Sequence, residues 1–149
     1  MANTSPGFRT FIRFHEWLYT TTGGRLGHHL AIVPSLLLHT TGRKSGERRT
    51  VALAYGRDGH KRTPAGYILV ASNHGMDRPP AWLLNLEADP KAEIQVGRRL
   101  LTVTAEVHRP GDPEHARLWA LSDDKLRRRY ERYQAGTARP IPVVRMVPT

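Results

Sequence analysis

From residue 35 onward, short apolar runs alternate with polar breaks that carry glycine or proline, the pattern of strands joined by tight turns. Six runs fit strands: "SLLLHTT" (35–41), "TVALAYG" (50–56), "GYILVAS" (66–72), "AEIQV" (92–96), "LLTVTAEVH" (100–108) and "IPVVRMV" (141–147). The first two flank "TTGRKSGERR" and predict a hairpin, and the fourth and fifth flank "GRR" and predict another. The second and third are joined by "RDGHKRTPA", where Asp58-Gly59 supplies turn chemistry.

Helical periodicity occupies the rest. In "FRTFIRFHEWLY" (8–19), Phe8, Phe11, Ile12, His15, Leu18 and Tyr19 recur at helical spacing, and "TTTGGRLG" closes the segment. This amphipathic N-terminal helix either packs on the domain or meets a membrane surface or apolar substrate. "PPAWLLNLEADP" opens on prolines suited to a first helical turn and ends at Pro90. "DPEHARLWALSDDKLRRRYERYQAG" reads as helical, with an interruption near Ser122 and a stop at Gly136. The expected fold is α+β, mainly β: a small antiparallel β-barrel of about six strands with peripheral helices. Residues 1–33 form the N-terminal helix and linker, and residues 34–149 the barrel domain.

Length and charge narrow the functional classes. The 149 residues make one domain, without cysteines for disulfides, thiolate metal sites or cysteine nucleophiles. No run is long enough to span a bilayer, and "MANTSPGFRTF" lacks the organisation of an export signal, so a cytoplasmic protein is expected. Twenty-three Lys and Arg against 13 Asp and Glu give a net charge of +10. That favours anionic partners: nucleic acid, anionic lipid, or a small molecule bearing phosphates or carboxylates.

Candidate chemistry concentrates in three places. In the basic turn, Gly42 and Gly46 let backbone amides converge, Ser45 adds a hydroxyl, and Arg43, Lys44 and Arg49 add cations. By spacing alone it is a solvated turn or an anion site. On the short helix Trp82 and Asn85 share a face that could flank a planar heterocycle, or Trp82, Leu83 and Leu86 are core. In "LRRRYERYQAG", Tyr130 and Tyr133 stand three apart beside Arg127, Arg128, Arg129 and Arg132. That pattern suits nucleic acid, a solvated face with buried tyrosines, or a lid whose hydroxyls reach a ligand. The eight histidines show no metal-ligand spacing; His39 and His74 alone are placed near a site. No serine sits in a nucleophile elbow.

Three ordered segments carry a resemblance: "LLLHTTGRKSGERRTVALAY", "ILVASNHGMDRPPAWLLNLEADPKAEIQV" and "YERYQAGTARPIPVVRMVP". Over roughly residues 34–148 the chain resembles the deazaflavin-dependent nitroreductase and quinone reductase family of actinobacteria, split β-barrel proteins of FMN-binding-like, flavin-reductase-like fold. The resemblance implies coenzyme F420, an 8-hydroxy-5-deazaflavin with a phosphate and a polyglutamate tail. It implies an enzyme that passes a hydride from the reduced deazaflavin to a quinone-like, nitroaromatic or other conjugated acceptor. Arg43, Lys44 and Ser45 match the tail- and phosphate-binding turn, and Arg49, Thr50, Val51, Ala52, Leu53 and Ala54 the strand along the cofactor. Val70, Ala71, Ser72 and Asn73 match the strand end beneath the ring, and Ala81, Trp82, Leu83, Leu84 and Asn85 the short helix near it. Tyr130 and Tyr133 match tyrosines of the substrate side, and no metal is implied. The chain departs from the family where many members read Ser-Lys-Gly-Gly and it has Ser72-Asn73-His74-Gly75. It departs also at Leu83, where an aromatic is frequent, and at Arg127, where a relative can offer a tyrosine. The expected partner is a small-molecule acceptor, for a monomer or homodimer whose N-terminal helix can touch the inner face of the cell membrane. The alternatives are an FMN-dependent reductase on the same barrel, or a non-catalytic basic module for nucleic acid or anionic lipid.

Overall fold

The computed structural model describes residues 34–122 and 124–149, without the side chains of 124–127. The expected helix over residues 8–19, with its membrane contact, and the Arg127 side chain lie outside the described residues. Ser35–Thr149 forms a compact unit. Its strands are β1 (Ser35–Thr41), β2 (Arg48–Ala54), β3 (Gly56–Gly59), β4 (Pro64–Val70), β5 (Lys91–Val96), β6 (Arg99–His108) and β7 (Val143–Pro148). Three helices join them: α1 (Ala81–Ala88), α2 (Pro113–Leu121) and α3 (Asp124–Ala135). Ser122 breaks the last two apart, and Gly136 follows the end of α3.

All seven strands form one antiparallel sheet in the order β2-β1-β5-β6-β7-β4-β3. Its two edge strands, β2 and β3, are separated in the chain by Tyr55 alone. Consecutive Cα atoms lie about 3.8 Å apart, so the two edges must approach one another there. A sheet whose first and last strands meet has to curl, and this one is a split barrel.

Two expectations are corrected. The strands number seven, and "GRDG" is strand β3 where turn chemistry was expected. β4 pairs with β3 and β7, and the run at 50–56 meets that at 66–72 only through Gly56, opposite Ile68. Asp58 explains the difference. It is buried and accepts from both terminal nitrogens of Arg117 at 2.9 and 3.0 Å and from Nε of Arg145 at 2.9 Å. These bonds hold residue 58 in the sheet, and the chain reverses only after Gly59, at φ +97°.

Burial explains why some strands read clearly and others do not. On β1, Leu36, Leu38 and Thr40 are buried while their neighbours are not, which is the alternation of a strand covered on one face. On β4, Tyr67 and Leu69 join the barrel interior, while Ile68 joins Leu118 and Val143 beneath α2. β4 is therefore covered on both faces and reads as a continuous apolar run. Leu38, Leu69, Ile94, Val103, Val144 and Met146 fill the interior, each contributing about 1.5–3 kcal/mol.

Helix α2 comes close enough to β3 that only glycine fits below it. A Cβ added at Gly56 would stand 2.5 Å from the Leu121 carbonyl oxygen. Gly56→Ala should therefore lower the unfolding free energy by about 1–3 kcal/mol. Denaturant titration checks this, and an unchanged midpoint would mean that α2 moves aside freely.

Candidate cofactor site

The sheet register places the sequence motifs at one end of the barrel. Thr41 and Arg48 are paired at the end of β1–β2, Lys91 pairs with Thr104 near the start of β5, and Val70 and His108 both pair with Val143. Strand direction alternates along the sheet, so these positions share a rim. The rim carries the basic turn of residues 42–47, the turn after β4, α1 and the segment leading into β7.

The basic turn is tied to α1. Asn85 is buried; its Nδ2 donates to Thr40 Oγ1 at 3.1 Å, and its Oδ1 accepts from the Arg43 backbone N–H and from Arg43 Nη1, both at 3.2 Å. One amide thus fixes both the path of the turn and the bearing of its first cation. The glycine amides are spent inside the turn: Gly42 N–H donates to the Glu47 carbonyl at 2.7 Å and Gly46 N–H to the Gly42 carbonyl at 2.8 Å. They close the turn and do not line a site, which corrects the expectation of converging glycine amides. Ser45 Oγ accepts from Glu47 N–H at 3.1 Å and from Arg49 Nη2 at 3.4 Å, leaving its hydroxyl proton to donate. Arg49 is paired with Glu47 at 3.5 Å and Arg48 with Glu93 at 3.2 Å. Among the described residues, Arg43 and Lys44 have no carboxylate partner.

Alternation divides the strand expected along the cofactor. Val51 and Leu53 stand opposite Leu38 and Leu36 and pack on the core. Thr50, Ala52 and Ala54 pair with His39, Leu37 and Ser35, on the other face. A planar ring cannot lie against all six residues from Arg49 to Ala54 through side chains; as an edge strand, β2 also offers backbone groups. His39 belongs to that second face. Its Nδ1 lies 2.7 Å from Thr50 Oγ1, and burial, then Arg48, push the imidazole below its ordinary value against the opposing pull of Glu93.

Elsewhere the candidates separate. Val70, Ala71 and Ser72 are buried and Asn73 half-buried. On α1, Ala81 is exposed and Leu84 half-buried, whereas Trp82 (8% exposed) and Leu83 (2%) belong to the core. Leu83, which the resemblance implies as a cofactor contact, lies on the helix face that seals the barrel. The tyrosines have different neighbours although three residues separate them. Tyr130 meets Trp119 of α2 edge-on at 6.3 Å, while Tyr133 meets His74 at 6.1 Å with the rings 75° apart.

One residue had no signal in the sequence. Arg139 Nη2 donates to the Ser72 carbonyl at 2.9 Å, Nε to that of Met76 at 3.1 Å and Nη1 to that of Ala71 at 3.3 Å. Burial pushes its guanidinium below the usual value, partly offset by Asp77. Contacts across more than 60 residues of chain have no local periodicity from which to read them.

Fold and rim together define a split barrel with a cationic turn at one end. The chain belongs to the F420H(2)-dependent quinone reductase family, whose model matches residues 11–148. It is similar to an F420H(2)-dependent quinone reductase of Mycobacterium tuberculosis, with 46% identity over 134 residues, 89% of this chain and 87% of the relative. Among solved structures, an F420-H2 dependent reductase superposes with TM-score 0.62 at 32% identity, covering 76% of this chain and 93% of that one. A second, described as a domain-swapped dimer, superposes with TM-score 0.61 at 32% identity, over 76% and 79% of the two chains. The protein is therefore an F420H2-dependent oxidoreductase. The donors of the basic turn fit that anionic cofactor: two cations without internal counter-charge and a hydroxyl whose proton is uncommitted.

Proposed function

We propose that the basic turn grips the anionic tail of coenzyme F420 and that β2 and the turn after β4 border its ring, with the acceptor on the side of Tyr133 and His74. The observation that carries this reading is the Asn85 bond to Arg43, which holds a cation ready on a turn otherwise built for solvent. Pre-orienting the guanidinium reduces what binding must order. When bound, reduced coenzyme F420 supplies the hydride. Arg43, Lys44 and Ser45 bind and orient, and barrel side chains such as Val51 and Leu53 shield the apolar side from water. Reduction of a quinone to a hydroquinone needs one proton as well as the hydride, and the Tyr133 hydroxyl is a proton-bearing group on the acceptor side. The reading includes a cytoplasmic enzyme, monomeric or homodimeric. It also includes contact of residues 8–19 with the inner membrane surface, supported by their amphipathic pattern. Among the described residues no helix is long and apolar enough to cross a membrane.

The test is a fluorescence titration of the purified protein with the deazaflavin at rising salt, beside FMN as control. Binding should weaken steadily with ionic strength as the tail contacts are screened. Salt-independent binding, or tight retention of FMN instead, would sink the assignment of the turn.

A further inference from the structure

The turn after β4 holds three left-handed residues in succession: Asn73 (φ 45°), His74 (φ 57°) and Gly75 (φ 77°). Glycine adopts this conformation readily, but two preceding non-glycine residues do so only when their surroundings enforce it. Here the enforcement is visible. Arg139 binds three carbonyls around the turn, those of Ala71, Ser72 and Met76. Asn73 Nδ2 donates to the Arg78 carbonyl at 2.9 Å, and Thr137 Oγ1 to Asp77 Oδ1 at 2.8 Å. Arg139 is itself held, because Gln134 of α3 donates to its carbonyl at 2.9 Å and accepts from Ile141 N–H at 2.8 Å.

This bracing has a consequence at the site. A Cβ on Gly75 would lie 3.2 Å from Tyr133 Cα, so the turn sits directly on α3 at Tyr133. In that position the exposed His74 ring meets the Tyr133 ring edge-on, and Met76, two residues on in the chain, is 51% exposed. We infer that Arg139 is a positioning residue of the acceptor side: its guanidinium keeps the turn left-handed and against α3, so that His74 and Tyr133 present one fixed surface to the acceptor. Arg139 does not touch the acceptor; it acts through the three carbonyls. A lysine at this position cannot replace it, because an ammonium lacks the planar fork that spans acceptors on both sides of the turn. The functional part of this inference rests on the reading above; the conformational part does not.

The experiment therefore has two arms, both on the full chain. In the first, hydrogen exchange is followed without cofactor in the wild type, Arg139→Lys and Arg139→Ala. The amides of Gly75 and Met76, which donate to the Ser72 and Asn73 carbonyls, should exchange at least tenfold faster in both variants, with the barrel strands unchanged. Unchanged exchange in the turn overturns the inference whatever the cofactor does. In the second arm, steady-state kinetics use reduced deazaflavin and benzoquinone. Arg139→Lys should lose about tenfold or more in kcat/KM for benzoquinone, while the deazaflavin Kd, to which the basic turn contributes the tail contacts, changes by a smaller factor. Added guanidinium ion should restore part of the activity of Arg139→Ala and none of that of Arg139→Lys. Wild-type kcat/KM in Arg139→Lys overturns the positioning role, as does a loss accounted for entirely by the unfolded fraction. A wild type that fails to bind the deazaflavin overturns the cofactor reading, and the exchange arm still decides on the turn.

Discussion

Replacing Arg43 and Lys44 together with alanine should weaken deazaflavin binding by roughly 100-fold while leaving the unfolding free energy within about 1 kcal/mol of the wild type. Both side chains are exposed, so neither supports the core. Among the described residues the one structural bond at stake is that of Arg43 Nη1 to Asn85, and the Arg43 backbone N–H keeps its own bond to the same oxygen. A charge-assisted bond to a bound anion contributes about 1.5–3 kcal/mol, and two taken at the low end for solvent exposure give a factor of roughly 100. The residual affinity should also lose most of its salt dependence, since the screened charges are gone. Fluorescence titration beside a denaturant curve measures both quantities. Equal losses of affinity and stability would show that the turn is part of the fold and no grip at all.

The second large effect concerns Asp58. Its carboxylate neutralises Arg117 and Arg145 between α2 and the outer face of β3–β4–β7, and those arginines also pair with Glu114 at 2.6 Å and Glu106 at 3.3 Å. Asp58→Ala leaves two guanidinium groups facing each other without their common anion. It should cost about 3 kcal/mol, a large share of the roughly 5–15 kcal/mol that holds a domain together. Asp58→Asn keeps the shape without the charge and should fall between. The Arg117 bonds hold the Asp58 carboxyl below the usual carboxylate range, with Arg145 adding to the effect against the opposing pull of burial. A carboxyl depressed in the folded state contributes stability that is complete above its unfolded value of about 3.9 and is lost as pH falls through the folded value. The acid fall of the wild type, beginning near pH 4, should thus be steeper than that of Asp58→Ala. Parallel curves would remove Asp58 as the linked group. Nothing in the site is touched by this change, so cofactor affinity per folded molecule should stay as in the wild type.

How much of this was legible beforehand follows from how each element is stabilised. Strand β1 has the bounds its alternation predicts, Ser35–Thr41, because one face is buried and the pattern is local. Its hairpin with β2 across the basic turn was readable for the same reason. β3 was not readable: Gly56, Asp58 and Gly59 are turn residues by propensity, and partners 59 and 87 positions away overrule them. Within the site, the cations of the turn were visible as charge, but Asn85 suited a ligand as well as it suits Arg43. Spacing on α1 already offered Leu83 as core, where the structure has it, and only the resemblance implied it as a cofactor contact.

By itself the sequence determined the strand pattern, the cationic turn and the family, all of which rest on residues near one another in the chain. Tertiary structure alone decided that β2 and β3 meet at Tyr55 to curl the sheet, that Asn85 aims Arg43, and that Arg139 braces a left-handed turn against Tyr133. Each of these joins groups distant in sequence through single hydrogen bonds or a close approach, and such contacts leave no period, composition or spacing from which they could be read.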